Sequence, residues 1–391
     1  MTIPQTIQTC EDLLTAMVSF DTVNANISGV ADAELELSKY LEALAGTFKF
    51  SSRRFPVSGD GFNLLVTFEA VSGGPWLLFE SHLDTVTVDG MSIDPFAGRI
   101  DGGRIFGRGA CDTKGSGAAM LWALKRYAQQ MSGPNNIGIV FTLDEEFRKT
   151  GIKSFVRNDL PRLGWMPAGA VIGEPTQLEA VVAHTGAMRW TIHTRGVAAH
   201  SSNPSRGRSA ISMMVRVIDA LESRYIPNLT ASHPLTGKAQ CSINLIQGGA
   251  QINVIADHCQ IRVDRRLMPG EDGERVLPAV QTVLDELCRD QPDLVVEQGE
   301  SHFDPPLALS EDNPFVPVVQ RGLRELNLPT DLRGAAYGTD ASILSAAGVP
   351  AVVLGPGDIT QAHTHDEWLE LEQLNKAVEV YLKLMSGELR C

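Results

Sequence analysis

The sequence predicts an α/β protein with a mostly parallel sheet, interrupted by a second, α+β unit. The first observation is a set of four apolar runs, which are typical of parallel strands that are buried on both faces. These runs cover residues 75–80, 137–143, 168–173 and 350–354. The second is a change of pattern after Glu174, where a separate series of strands and helices begins. The third is the length of 391 residues, which exceeds what one hydrophobic core usually serves.

The first part of the chain alternates strands and helices. Apolar residues at helical spacing between Glu11 and Leu44 predict two helices, with a break near residues 24–28. Strands are predicted at 63–69 and 75–80, and a helix at 113–130. The repeating unit of strand, helix and strand therefore supports the prediction of a parallel sheet.

The central part of the chain forms its own predicted α+β unit. Its elements are a strand at 189–194, a helix at 209–224, strands at 239–245 and 258–265, a helix at 273–289 and a strand at 294–298. The parallel-sheet pattern resumes with a helix at 313–326. We therefore predict one domain formed by residues 1–183 and 300–391, with a second domain, residues 184–299, inserted into it.

Composition and charge argue against several classes of function. A hydrophobic content of 43% with 20% charged residues is typical of a globular α/β enzyme, and no stretch is long and apolar enough to span a bilayer. The net charge of −14 argues against a nucleic-acid partner or an anionic membrane surface. The first residues lack the features of a secretory signal, so a cytoplasmic location is expected.

Side chains that bind metals follow the apolar runs. The stretches that contain them are residues 81–84, 111–113, 144–146, 173–175 and 362–367. In an open α/β sheet, ligands bind beyond the carboxyl ends of the strands, where these residues would meet. Carboxylates gathered there would repel one another by about 4 kcal/mol per pair at a separation of roughly 4 Å. Two divalent ions would balance three carboxylates and a hydroxide, so the pattern predicts a dinuclear metal site.

Each motif also has a plainer interpretation. The pair His82 and Asp84 could be an ordinary surface pair, and Glu174 could be a turn residue. Asp112 stands in a Gly-rich strand-to-helix turn that could cradle a phosphate or cap a helix, yet neither explains the acids that follow it. Cys111 could be a nucleophile, but the six cysteines have no paired spacing and are predicted to be reduced thiols.

The residues alone do not decide between the candidates in two pairs of side chains. Glu145 and Glu146 follow a strand as neighbours, so one carboxylate could bind a metal while the other acts as a base. His363 and His365 are alternatives for the last metal ligand.

Five motifs agree in order and spacing with those of the dinuclear zinc peptidase and amidohydrolase family, which the chain resembles over nearly its whole length. They are Ser-His-Leu-Asp-Thr-Val from Ser81, Gly-Arg-Gly-Ala-Cys-Asp-Thr-Lys-Gly from Gly107, Asp-Glu-Glu from Asp144, Gly-Glu-Pro-Thr from Gly173 and Gln-Ala-His-Thr-His-Asp-Glu from Gln361. The family includes acetylornithine deacetylase, succinyl-diaminopimelate desuccinylase, aminoacylase and glutamate carboxypeptidase. The resemblance implies a zinc-peptidase-like catalytic domain and an inserted α+β, ferredoxin-like domain that serves as a lid and for dimerisation.

The resemblance also implies a role for each residue of the metal site. Asp112 would bridge two zinc ions, and the peptide bond after it would be cis. His82 and Glu174 would complete one zinc site. Glu146 and His363 would complete the other.

Further roles follow from the same resemblance. His363 is selected over His365, because the family's last ligand stands three residues before an acidic pair. Glu145 would be the general base, which takes a proton from water and passes it to the leaving amine, while Asp84 would orient His82.

The inserted domain carries further residues that the resemblance implicates. The motif Gly-Val-Ala-Ala-His-Ser-Ser contains His200, which would stabilise the oxyanion and in several family members acts in the partner subunit's active site. Asn253 and Arg266 match positions that hold the substrate, and Gly355 and Thr339 stand in loops that resemble pocket-lining loops. On the residues alone, His200 is interpreted as a surface histidine.

The predicted function is metal-dependent hydrolysis of the amide bond of an N-acyl amino acid, with N-acetylornithine as the best single substrate. Thr185 stands where such deacetylases often carry Lys, and the Tyr-Gly-Thr-Asp motif at 337–340 resembles aminoacylases and desuccinylases more closely. A succinyl-diaminopimelate desuccinylase or a peptidase like glutamate carboxypeptidase is therefore the alternative. A non-catalytic, metal-binding dimeric module is a second class, which the intact base and ligand positions disfavour.

The expected cofactors are two Zn²⁺ ions, for which Co²⁺ or Mn²⁺ could substitute. The expected partners are a small N-acyl amino acid or short peptide as substrate and a second copy of the chain, bound through the lid domain.

Overall fold

A computed structural model describes residues 7–130, 133–308 and 313–389. The chain forms two compact units. Unit 1 comprises Met1–Val182, Leu309–Arg333 and Thr339–Cys391, and unit 2 comprises Ala183–Ala308 and Gly334–Gly338. Unit 2 extends past the predicted boundary at residue 299, because its last strand continues to Asp304.

The helices of the described residues are α1 (Cys10–Val18), α2 (Ala25–Ser28), α3 (Leu35–Thr47), α4 (Gly115–Gln129), α5 (Thr150–Ser154), α6 (Ala210–Ala220), α7 (Val276–Asp290), α8 (Val316–Glu325), α9 (Ala341–Ala346) and α10 (Leu371–Ser386). The strands are β1 (Ser51–Ser58), β2 (Gly61–Phe68), β3 (Trp76–His82), β4 (Arg99–Asp101), β5 (Arg104–Phe106), β6 (Asn136–Thr142), β7 (Pro167–Ile172), β8 (Val181–His184), β9 (Gly186–Arg195), β10 (Ser232–His233), β11 (Gly237–Lys238), β12 (Gln240–Gly248), β13 (His258–Leu267), β14 (Val296–Asp304), β15 (Arg333–Ala335), β16 (Ala351–Val353) and β17 (Trp368–Glu370).

The main sheet has eight strands in the order β1-β2-β6-β3-β7-β16-β8-β15. β3 pairs in parallel with β6 and β7, and β16 pairs in parallel with β7. These four strands coincide with the four apolar runs, and their residues are almost entirely buried. The prediction of buried parallel strands is therefore confirmed.

The edge of this sheet differs from the prediction. β2 is antiparallel to both β1 and β6, so the sheet is mixed. β1 was not predicted, because it is an edge strand whose residues are mostly exposed and which therefore has no apolar run.

Helices α1, α3, α4 and α10 contribute to the hydrophobic core of unit 1. α4 begins at Gly115, two residues later than predicted, because the backbone of Asp112 and Thr113 is not helical. α10 was not predicted, although its buried residues Leu374, Ala377, Val378 and Tyr381 have helical spacing. No helix of the described residues is long and apolar enough to cross a membrane.

Unit 2 has the chain order β9-α6-β12-β13-α7-β14, with short elements between α6 and β12. Its four main strands form an antiparallel sheet in the order β12-β13-β9-β14. This succession and strand order are those of a ferredoxin-like fold, so the predicted class of the inserted unit is confirmed. Buried residues of β9 and β13 pack with α6 and α7, while β12 lies at an edge of the sheet.

Candidate metal centre

Four of the predicted ligands lie near one another, beyond the carboxyl ends of three parallel strands. His82 is the last residue of β3 and stands in register with Thr142, the last residue of β6. Glu146 follows β6 and Glu174 follows β7, so both carboxylates lie at the same edge of the sheet as His82. Asp112 reaches this edge from the turn that precedes α4.

The carboxylate of Asp112 faces two different sets of ligands. Its Oδ1 lies 3.1 Å from Nε2 of His82, which is also 3.9 Å from Oε1 of Glu174. Its Oδ2 lies 3.3 Å from Nε2 of His363, which is 3.2 Å from Oε1 of Glu146. The ligand atoms of His82, Asp112 and Glu146 all lie within 4.8 Å of one another. The structure therefore places the carboxylate of Asp112 between two pairs of His and Glu side chains.

The charges of the cluster fit a cation. Burial and the Asp112 carboxylate raise the pKa of Glu146 to about 7 and hold the pKa of Glu174 well above its ordinary range. Burial also acts to raise the pKa of Asp112, but hydrogen bonds with His363 and His82 outweigh it and lower that pKa. Three crowded carboxylates with two imidazoles are a donor set that suits divalent ions such as zinc.

Asp84 organises the loop that carries the acidic pair. Its carboxylate oxygens accept the backbone N–H groups of Glu145 at 2.9 Å and of Glu146 at 3.1 Å. The side-chain amide of Asn24 donates to the same carboxylate at 2.8 Å. Nδ1 of His82 lies 3.0 Å from the backbone oxygen of Asp84 and 3.5 Å from its carboxylate. Asp84 therefore contacts the backbone of Glu145 and Glu146 directly, as well as the imidazole of His82.

Glu367 holds the turn that carries Asp112 through hydrogen bonds to its backbone. Its buried carboxylate accepts backbone N–H groups of Gly109, Cys111 and Asp112 at 2.9–3.1 Å. It also pairs with the guanidinium of Arg108 at 2.8 Å. The peptide bond between Asp112 and Thr113 is cis, which agrees with the expectation from the sequence. Neither Glu367 nor Asn24 was predicted to have a role in the site.

Comparison with known proteins identifies the family of this chain. The profile of peptidase family M20/M25/M40 matches residues 78–387, which is more than half of the chain. The chain belongs to this family. It is accordingly a hydrolase of the M20 group.

Two relatives with curated descriptions match this M20 chain along nearly its whole length. It is 31% identical to an acetylornithine deacetylase of Myxococcus xanthus over 386 residues, which is 95% of this chain and 96% of the relative. It is also 31% identical to an N-acetyl-L-citrulline deacetylase of Xanthomonas campestris pv. campestris over 384 residues, or 96% of both chains.

Solved structures of M20 proteins share the fold. An M20 family metallo-carboxypeptidase from Sulfolobus solfataricus superposes with a TM-score of 0.80 at 15% identity, covering 97% of this chain and 99% of the other. A dinuclear metal binding peptidase of the family from Bacillus subtilis gives a TM-score of 0.71 at 15% identity, covering 96% and 98%. The predicted fold class is thereby confirmed.

The predicted general base has a cationic neighbour in this M20 site. Glu145 has a largely buried side chain, and its Oε1 pairs with Nζ of Lys149. The same ammonium lies 3.7 Å from Oδ1 of Asp340, which is also buried. Lys149 was not predicted to contribute here, since a loop lysine gives no periodic signal. Asp340 was predicted only as part of a loop that resembles pocket-lining loops.

The predicted substrate residues of unit 1 have structural contacts. A Cβ atom at Gly355 would lie 2.5 Å from the carbonyl oxygen of Glu174, so only glycine fits beside this residue. Oγ1 of Thr339 accepts the backbone N–H of Ala341, the first residue of α9, at 3.2 Å. Both positions lie in loops at the carboxyl edge of the sheet, and their contact with substrate stays a prediction.

Unit 2 brings His200 and Asn253 together. The backbone carbonyl of Asn253 accepts the N–H of Ser201, next to His200, at 3.0 Å. Nδ1 of His200 accepts the N–H of Ser202 at 3.2 Å, so in the neutral ring the proton lies on Nε2. Arg266 lies on β13, where its guanidinium pairs with Asp264 at 2.7 Å. The exposed His200 ring can therefore donate a hydrogen bond through Nε2.

A buried acid beside this site should make stability depend on pH. Burial and the Asp84 carboxylate raise the pKa of Glu34 from 4.5 to about 7. The folded chain therefore holds this proton more tightly than the unfolded chain, so the stabilisation is complete below pH 4.5 and is lost as the pH rises through about 7. At pH 8 we expect Glu34→Gln to raise the free energy of unfolding by up to ~3 kcal/mol.

Urea unfolding of the unchanged protein and of Glu34→Gln between pH 4 and 8 measures this difference in the free energy of unfolding. Glu36→Gln is the control, because Glu36 lies on the same helix with its side chain exposed. An equal gain for Glu34→Gln at both ends of the pH range would contradict the expectation.

Proposed function

We propose that this M20 hydrolase cleaves the amide bond of N-acyl amino acids with the aid of two divalent metal ions. The observation that carries the proposal is the carboxylate of Asp112, whose two oxygens face two separate His and Glu pairs. The similarity to acetylornithine and N-acetylcitrulline deacetylases supports an N-acetyl amino acid with a polar side chain as substrate. N-Acetylornithine is the preferred single substrate.

Five side chains would hold the ions. The ligands of one site would be His82, Glu174 and Asp112, and those of the other would be Glu146, His363 and Asp112. Zinc suits this mixture of imidazole and carboxylate, and cobalt or manganese could replace it. When bound, the ions would supply Lewis acidity toward a water molecule and the acyl carbonyl.

The side chains of the protein would then move the protons. Glu145, which is not one of the five ligands, would take a proton from the attacking water and deliver it to the departing amine. His200 would donate its Nε2 proton in a hydrogen bond to the oxyanion, a contact worth about 3 to 4 kcal/mol for a single donor. Arg266 would bind the substrate carboxylate, to which its planar guanidinium is suited.

A substrate panel combined with metal analysis tests the proposal. The panel contains N-acetylornithine, N-acetylcitrulline, neutral N-acetyl amino acids, N-succinyl-diaminopimelate and a glutamyl peptide. We expect two ions per chain and the highest kcat/KM for an N-acetyl amino acid. Preference for the succinyl compound or the peptide would favour the alternative substrates. Two bound ions without turnover of any compound would favour the non-catalytic module.

We also propose a homodimer that forms through unit 2. The edge strand β12 exposes Leu245 and Ile246, the latter to 54%, and the neighbouring loop exposes Ile252 fully. Unpaired backbone groups beside exposed apolar side chains form a surface that a second copy of the same strand can cover. The cytoplasmic location stays a prediction from the sequence.

A charged residue on this edge should weaken the dimer. We expect Ile246→Lys to raise the dissociation constant by at least ~10-fold, because each subunit would bury an ammonium in an apolar contact. Sedimentation equilibrium measures the constant. Val295→Lys is the control, since Val295 is an exposed apolar residue that precedes β14 at the opposite edge. Equal effects of both substitutions would show that the contact lies elsewhere.

A further inference from the structure

A lysine is buried against the proposed general base. Lys149 is only 6% exposed, and its ammonium pairs with Oε1 of Glu145. The proposed reaction assigns this lysine no part. We propose that Lys149 is a positioning residue, which fixes the carboxylate of Glu145 in the orientation that accepts a proton from water. The inference rests on the proposed role of Glu145.

The backbone directs Lys149 toward Glu145. The loop between β6 and α5 starts and ends with residues in the left-handed region, Asp144 at φ 59° and Lys149 at φ 56°. This conformation is uncommon for residues other than glycine, so contacts must maintain it at both ends. The backbone N–H of Lys149 donates to the carbonyl of Asp144 at 2.6 Å and closes the loop. The side chain of Asn24 donates to the carboxylate of Asp144 at 2.9 Å and anchors its start.

The surroundings of the ammonium are acidic. Asp340 lies 3.7 Å from it and is buried, as is Glu80, which accepts a hydrogen bond from Thr142 at 2.6 Å. The backbone N–H of Glu145 donates to the carboxylate of Asp84 at 2.9 Å, which holds the main chain of Glu145 but not its carboxylate. Without Lys149, the carboxylate of Glu145 would lose its ion-pair partner beside these two acids. Lys149 therefore determines where that carboxylate lies.

The position of a general base has a large effect on rate. Proton transfer requires a heavy-atom separation of about 2.6 to 3.2 Å, and a misplacement of ~1 Å can lower the rate about 100-fold. Because the ion pair engages Oε1, it leaves Oε2 of Glu145 to take the proton. A defect in this arrangement should lower kcat and leave KM nearly unchanged, since neither Lys149 nor Glu145 is proposed to bind the substrate.

The first test replaces the charge and then restores it. We expect Lys149→Met to lower kcat ~10- to 100-fold with KM changed less than ~3-fold and two metal ions retained. Lys149→Arg should recover most of the activity, whereas Lys149→Gln, which keeps a donor without the charge, should not. Lys39→Met is the control, because Lys39 lies on α3 with an exposed side chain that pairs with Glu36, away from this loop. If Lys149→Met does not fold, the Arg and Gln variants provide the same comparison.

The second test asks whether Lys149 acts through Glu145. Glu145→Asp shortens the base, so its carboxylate no longer reaches the ammonium. In that background we expect Lys149→Met to lower kcat by less than ~3-fold, because the positioned contact is already lost. An equal fold-loss in both backgrounds, or an unchanged kcat in Lys149→Met with Glu145 intact, would overturn the inference. Full activity of Glu145→Gln would instead overturn the proposed role of Glu145 as general base, on which this inference rests.

Discussion

Glutamine in place of Glu145 is expected to lower kcat by ~100- to 10,000-fold, the range that general acid–base catalysis contributes. The amide has the size of the carboxylate and can still accept a hydrogen bond from Lys149, but it cannot take a proton from water. Glu145 is not among the proposed ligands, so the metal content should stay at two ions per chain. Steady-state kinetics on the preferred N-acetyl amino acid and metal analysis of the same sample measure both quantities.

The neighbouring acid provides the control for this result. Glu146→Gln should lose metal as well as activity, because Glu146 lies 3.2 Å from His363 in one of the two ligand sets. The two substitutions change the same functional group at adjacent positions, so a difference in metal content isolates the role of each side chain. If Glu145→Gln kept the kcat of the unchanged enzyme, Glu145 could not be the general base.

The strands of the main sheet could be predicted where burial on both faces leaves a continuous apolar run. β3, β6, β7 and β16 meet this condition and were found. β1 fails it, because an edge strand that faces solvent needs no apolar residues. α10 has the spacing of an amphipathic helix, so its omission reflects an incomplete use of the sequence pattern.

The residues of the candidate site also divide into those that the sequence predicted and those that it did not. The proposed ligands follow predicted strands or stand in motifs, so sheet geometry and family resemblance both point to them. Asn24 and Glu367 instead act through polar contacts with residues that are distant in the sequence, whereas Lys149 lies only four positions from Glu145. Asn24 reaches Asp84 across 60 positions of sequence, and Glu367 reaches Cys111 across 256. No local pattern records such contacts, so only the folded chain reveals them.

Replacing Asp112 with asparagine is expected to have the other large effect, the loss of the dinuclear centre. Asp112 is the residue whose two oxygens face the two ligand sets, and an amide would offer one neutral oxygen in place of two charged ones. The substitution keeps the backbone N–H that donates to Glu367, so the turn should remain in place. We expect fewer than about one bound ion per chain and a loss of activity on the order of 1,000-fold or more.

The control for Asp112→Asn is a substitution of His363, which is proposed to bind only one of the two ions. His363→Ala removes the imidazole of only one ligand set and leaves His82, Glu174 and Asp112 in place, so one ion should stay bound. Metal content should therefore be lower in Asp112→Asn than in His363→Ala, although each variant changes only one side chain. That order follows only if one carboxylate serves both ions. Retention of two ions in Asp112→Asn, with the protein folded as judged by circular dichroism, would show that the two sets do not share a bridging ligand.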